Sequence, residues 1–376
     1  MMNRRLAWVP GWLCLSILAC CLLSCDGGGN VLRIQTNIPA LANMTGTYMA
    51  QAGSPIIEIE YREQLSVTEG NGPVPDLVIG TGLYANQIMD NLASQKELFE
   101  TDPIDTSAYY PFTFIQHKDD YRLTVLSWDL PAILTPLAES GHDFNETVML
   151  PLEGLMDRAA QYNQKKKGSL SAMGFSPLYS DEFIYLLFQY NGATLGSDNR
   201  GYPDWREDRL NAALQMLGNW SKDYNGGAAA ETAFLTKFAY APVYQLLGSQ
   251  RFAYAYSRAS DFLNQDSLSR NRLNLHWASW QNRLLILDNL VTAGIPQHSR
   301  HKAEALRFIR WSLVQSVQQA AMVRNLDDGL RSFGFLEGFS TCRYITEKII
   351  PQYYPAVRLR IPPETILDFP APQGML

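Results

Sequence analysis

The sequence predicts an α/β fold built as two domains, and three features predict it. Short apolar runs alternate with helical patterns near the amino end, in the order that opens a parallel layer with helices on its faces. Beyond the Asp129-Leu130-Pro131 break the patterns turn more helical, as a second domain would. The roughly 350 residues that follow a leader segment are more than one core usually serves. Hydrophobic residues make up 46% of the chain and charged residues 18%, the composition of a folded globular protein.

The leader comes first. Arg4 and Arg5 form a basic start, and Leu6 to Leu23 is mostly apolar but broken by Pro10, Gly11 and Ser16. That is a secretory signal with a short apolar core. A spanning helix needs about 20 apolar residues and usually a basic flank, whereas the far flank here is Asp26 and glycine. Leu22-Leu23-Ser24-Cys25 resembles the bacterial lipobox, whose cysteine takes a diacylglycerol before the peptide is cut and the new amine acylated, a chain such as palmitate. The expectation is a signal peptide over 1–24, a lipidated Cys25, and a glycine-rich flexible tether over 25–30. Cys14, Cys20 and Cys21 would leave with the leader, so Cys25 and Cys342 remain and no intrachain disulfide is expected.

VLRIQT at 31–36 reads as a buried strand, Leu41 to Gln51 as a helix ended by Gly53, and PIIEIEY at 55–61 as an alternating strand. DLVIG at 76–80 is a further strand closed by Gly-Thr-Gly, a helical pattern follows at 83–93, and RLTVLSW is a strand ending at Trp128. In the second part, Leu152 to Asn163 reads as a helix whose end is the solvated KKKG run, rather than as a basic patch. LSAMGF is a short strand, Asp181 to Tyr190 a helix before Asn191-Gly192, and Trp205 to Asp223 a longer amphipathic helix. RFAYAYS at 251–257 is a strand with Tyr254 and Tyr256 on one side. The last helix spans Lys302 to Val323, with Leu306, Ile309, Leu313, Val317 and Ala320 on one face.

The formal charge of −6 becomes −8 when Arg4 and Arg5 are removed, which argues against a nucleic-acid partner. The segment after the leader holds no GxSxG, HExxH, GxxxxGK[ST] or CxxC. His298 and His301 are separated by Ser299 and Arg300 and lack a third ligand nearby, so a surface cap is expected there and no metal. Gly80-Thr81-Gly82 is a tight turn after a strand, not a dinucleotide fingerprint, and no cofactor is expected. Asp181 and Glu182 point apart on a helix and cannot act jointly as acid and base; in a first turn they favour the helix dipole, or one of them accepts ligand hydrogen bonds. Aromatic residues carry the stronger signal. Trp128 ends a strand, Tyr179 opens a helix after one, and strand carboxyl ends are where open α/β sheets place ligands. Each could be core; together, beside Asp, Ser and Asn, they suit a neutral polar ligand such as a sugar.

The order of these segments resembles the extracellular solute-binding proteins of bacterial ABC importers, in the sugar-binding, maltose-binding-protein-like family. The lipobox leads to a first strand, VPDLVIG and a loop-helix, and a hinge-like strand passes into WDLPAIL. GFSPLYSDEFIYLLFQYNGATL, RFAYAYSRAS and AGIPQHSRHKAEALRFIRWSL resemble the family's later segments. The resemblance implies a two-lobed periplasmic-binding-protein-like fold with a ligand cleft between lobes, the first from 31–128 plus 278–333 and the second from 129–277 plus 334–376. It implies that Gly80, Thr81 and Tyr84 face the cleft from the first lobe and that Trp128 and Asp129 lie at the hinge. Tyr179, Asp181, Tyr256 and Ser257 would come from the second lobe, with Trp277 and Trp280 near the second crossing. It further implies capture of a small polar solute, a carbohydrate, for a membrane permease, by a monomer lipid-anchored in the bacterial cell envelope and without catalysis. Two other classes stay open: a non-transport structural or sensory lipoprotein, and a lipid-anchored glycoside-processing enzyme, which would need two carboxylates about 5–10 Å apart across the cleft.

Overall fold

The computed structural model describes residues 31–68, 74–100, 102–137, 148–193, 195–197 and 203–372; the leader, Cys25 and the tether lie outside them. The principal strands are β1 (Val31–Thr36), β2 (Ile56–Tyr61), β3 (Leu77–Gly80), β4 (Phe114–His117), β5 (Asp120–Trp128), β6 (Pro131–Pro136), β7 (Met149–Pro151), β8 (Ala255–Arg258), β9 (Leu273–Ser279), β10 (Val291–Gly294) and β11 (Phe339–Ser340). The helices that cover them are α1 (Leu41–Met49), α2 (Asp181–Tyr190), α3 (Glu207–Asn219), α4 (Lys302–Leu313) and α5 (Gln315–Asp327). Among the described residues no helix is long and apolar enough to cross a membrane.

The first sheet runs β11-β5-β10-β3-β1-β2, with β4 also paired to β5. β1 lies parallel to both β2 and β3, with Ile34 opposite Ile59 on one side and Leu77 on the other. Its central place follows from its apolar residues, since Leu32 and Ile34 are wholly buried. β2 is an edge strand that carries Glu58 and Glu60 toward water, charges that discourage another strand from pairing there. β10 returns antiparallel between β3 and β5. Leu41, Met44, Phe308 and Ile309 from α1 and α4 close over Leu32, Ile34, Ile79 and Leu126.

The second sheet runs β8-β6-β9-β7. α2 and α3 pack on it through Phe183, Leu187 and Leu217, which join Ile133, Trp220, Tyr254 and Tyr256. A third apolar cluster spans both sheets, taking Val125 and Trp128 from β5, Leu134 and Trp277 from β6 and β9, and Phe339 from β11. Of residues 334–376, β11 pairs with Ser127 and Trp128 on the first sheet, while Arg360 O accepts the Trp277 indole N–H at 2.6 Å. That segment therefore touches both sheets.

Three local expectations need correction. The KKKG run is a β-hairpin, not a helix end: Gln164–Lys166 pairs with Ser169–Ala172. Lys167 and Gly168 form the turn with φ of 52° and 80°, the two-residue geometry that matches strand twist. The helix expected over 83–93 is only the turn Asn86–Met89. The helix expected to run unbroken to Val323 stops at Val314, whose backbone is extended at φ −63° and ψ 126°. The break frees the Ser312 carbonyl, which accepts the wholly buried Gln318 amide at 3.0 Å, while Ser340 Oγ donates to Gln318 Oε1 at 2.5 Å. A buried amide needs such partners, and Ala320 is left exposed rather than on the apolar face.

Candidate ligand-binding cleft

Between the two sheets lies a cavity of about 600 Å³. Its first wall is set by the carboxyl ends of the three parallel strands. Asn37 follows β1, Tyr61 ends β2 with Glu63 just beyond, and Thr81 follows β3. This is where an open parallel sheet leaves backbone ends and side chains free for a ligand. Asn37 ties two of these loops together: its Nδ2 donates to Thr81 Oγ1 at 3.0 Å, and its Oδ1 accepts the Thr81 N–H at 3.0 Å. Gly80 makes that link possible, since a Cβ there would come within 2.1 Å of Asn37 Oδ1.

The opposite wall starts where β8 ends. Arg258, at the end of that strand, donates from Nε to Asp261 Oδ2 at 2.8 Å and lies 3.5 Å from Glu182. Ser260 and Asp261 lie on the next short helix, and Asn264 follows at its end. At the crossing between sheets, Asp129 is 1% exposed. Its carboxylate accepts Leu130 N–H at 2.8 Å, Ser260 N–H at 3.1 Å and Ser260 Oγ–H at 2.5 Å. Burial outweighs these bonds and pushes its pKa up to about 7. Glu337 borders the cavity from the turn before β11, and burial raises its pKa too, against the pull of Arg258. Asn289 Oδ1, which also borders the cavity, is buried and has no hydrogen-bond partner among the described residues.

Of the residues anticipated from sequence, Thr81, Trp128 and Asp129 line this cavity. Tyr179, Tyr256 and Ser257 line a neighbouring cavity of about 520 Å³ that shares Asp261 and Asn264 with it. The Trp128 indole, however, is 1% exposed and donates to Ser340 O at 3.0 Å. Trp277 is equally buried, and Tyr256 packs on Phe183. Tyr84 stacks obliquely on Phe369, Trp280 on Tyr190, and Asp181 is exposed in the first turn of α2. Polar residues that sequence reasoning missed include Asn37, Glu63, Arg258, Asn264, Asn289 and Glu337. Asn37 and Arg258 could have been found by applying the strand-end rule to VLRIQT and AYAYS as it was applied to Trp128. A larger groove of about 910 Å³ runs along 347–364, but one stretch of chain forms it and the two sheets do not meet there.

No protein-family model and no curated protein matches the sequence. Solved structures match it in shape. CpMnBP1 with mannobiose bound superposes with a TM-score of 0.61 at 15% identity, over 92% of this chain and 90% of that one. The ABC substrate-binding protein Lmo0181 from Listeria monocytogenes, in complex with cycloalternan, gives 0.60 at 12% identity, over 90% and 88%. The chain has the two-lobed periplasmic-binding-protein fold. Its two sheets are the cores of the lobes, and the cavity between them is the interlobe cleft. The same fold also carries chemistry, because thiaminase I from Bacillus thiaminolyticus superposes with a TM-score of 0.61 at 9% identity, over 91% and 95%. A two-lobed fold by itself therefore leaves binding and catalysis to be argued from the cleft.

Proposed function

We propose that this chain is the solute-capturing component of an ABC importer, taking a small polar solute of the carbohydrate class into the interlobe cleft and passing it to a membrane permease. One observation carries the reading: polar groups from both lobes converge on the cleft while some stay unengaged, Asn289 Oδ1 and the Glu337 carboxylate among the described residues. Such groups call for partners that a polyhydroxylated solute supplies. The printed ligands of similar folds, mannobiose, cycloalternan and maltotriose, belong to that class. Binding is favoured over catalysis because similar folds with printed sugar ligands are named as binding proteins, an ABC substrate-binding protein and a maltose/maltodextrin-binding domain. The proposal includes the lobes as 31–128 plus 278–333 and 129–277 plus 334–376, a monomer, and anchorage in the cell envelope through Cys25.

Calorimetric titration with a panel of neutral and amino sugars tests the cleft. Asn264→Ala is expected to weaken whichever sugar binds by roughly 0.5–1.5 kcal/mol, the scale of one hydrogen bond, and Asp181→Ala, outside the cleft, to leave affinity unchanged. Equal losses in both variants would refute the site, and steady product formation would favour an enzyme. For the anchor, Cys25→Ala is expected to take up no labelled palmitate and to remain uncleaved or soluble; undiminished labelling would dispose of the lipidation reading.

A further inference from the structure

Glu337 occupies a backbone position that the fold holds against local preference. Phe335 N–H donates to Gly338 O at 2.9 Å and Gly338 N–H to Phe335 O at 3.2 Å, so Leu336 and Glu337 are the two central residues of a tight turn. Both are left-handed, with φ of 48° and 67°. Turns of this kind favour Asn and Gly, and a Leu-Glu pair there is strained. Three contacts impose it. Leu336 is buried in the apolar cluster that covers the first sheet, its carbonyl accepts Ser127 Oγ–H at 2.9 Å, and Gly338 lies so close that a Cβ would meet Trp128 O at 2.6 Å. The outcome is a half-buried carboxylate on the cleft wall that makes no hydrogen bond or ion pair among the described residues.

The surrounding charges answer it only in part: Arg258 attracts it from a distance, and Asp261 opposes it. Carboxylates lining the cleft are those of Glu63, Asp129, Asp261 and Glu337, against the guanidinium of Arg258. Arg258 is already engaged by Asp261 and Glu182, and Asp129 by Ser260 and Leu130. Asn289 Oδ1, which borders the same cavity, is a second acceptor lacking a donor among the described residues. A neutral solute closing over Glu337 would remove more of its water without supplying the opposite charge, whereas an ammonium supplies both donors and charge.

We propose that Glu337 is the specificity-determining residue of the cleft and anchors a protonated amine on the solute, an amino sugar being the class that satisfies it. The inference rests on the carbohydrate-binding reading above. A matched pair of probes tests it: cellobiose, and the glucosamine disaccharide that differs from it only by an amino group in place of each 2-hydroxyl. Titrated at pH 7 and low salt, the amino disaccharide is expected to bind at least about tenfold more tightly, the factor one charge-assisted contact confers. In Glu337→Gln the preference is expected to fall to within about twofold. Should that variant fail to fold, salt provides a second readout on the unmutated protein, where sodium chloride is expected to weaken the amino disaccharide and not cellobiose. Cellobiose binding as tightly, or a preference that survives both the substitution and salt, overturns the inference. Binding of neutral sugars alone overturns it while the carbohydrate reading stands. Failure of both disaccharides and of every sugar in the panel overturns the two together.

Discussion

Trp128→Ala is expected to lower the stability of the protein by about 3–5 kcal/mol, the range for removing a large aromatic side chain from a packed core. The indole lies 5.2–5.6 Å, centroid to centroid, from the rings of Phe339, Tyr110 and Phe112, and its N–H is bonded to Ser340 O. Truncation would leave a cavity where the two lobes meet and would take one of two donors from the Ser340 carbonyl, which keeps Thr346 Oγ–H at 2.6 Å. Urea unfolding of protein stripped of solute is the measurement, because bound solute adds apparent stability by mass action. Trp280→Ala, which removes a half-buried ring stacked on Tyr190, is expected to cost less. An unchanged urea midpoint in Trp128→Ala combined with weakened solute binding would return the indole to the role the sequence suggested.

Stability is expected to fall as pH rises from about 4 to above 7, by up to about 4 kcal/mol from Asp129 alone. Its pKa is about 7 in the folded protein against 3.8 for the unperturbed group, and burial is the dominant cause. Between those values the folded state holds a proton that the unfolded chain has released, so the unfolding free energy declines with pH. The contribution is complete below the unfolded pKa and lost as pH rises through the folded one. Asp129→Asn keeps an acceptor for the Leu130 and Ser260 amides but cannot titrate, and is expected to flatten the slope in that window. Urea midpoints at five or six pH values for both proteins provide the comparison. Parallel slopes would show that Asp129 stays ionised and that its hydrogen bonds outweigh its burial.

Elements with strong periodicity and a clear stop were legible. VLRIQT is β1, DLVIG contains β3 and RLTVLSW lies within β5, and the helix expected over Asp181 to Tyr190 has those bounds. Ser180 caps it by accepting the Phe183 N–H, and Gly192 follows with φ of 72°. The KKKG turn and the break at Val314 were harder. A lysine in the left-handed region carries little local signal, and Gln318 is buried only because Ser340 arrives from far along the chain to meet it.

The site divides along the same line. Local chemistry determined that the strand ends near Thr81 and Trp128 would face a cleft, because a parallel sheet leaves its carboxyl ends open whatever the side chains are. Which side chains look into that cleft was a tertiary decision. Trp128 and Tyr256 have the pattern of a ligand platform and of a core residue alike, and each packs on a phenylalanine, Phe339 and Phe183, while also bordering a cavity. Glu337 was invisible from sequence for the opposite reason: its turn runs against the preference of Leu and Glu and exists only because Ser127 and Trp128 hold it. Local pattern was enough to lay out the α/β elements and the end of the sheet that faces the cleft. That Trp128 is buried while Glu63, Asp261 and Glu337 line the cleft follows from packing, since burial depends on contacts between residues far apart in the chain.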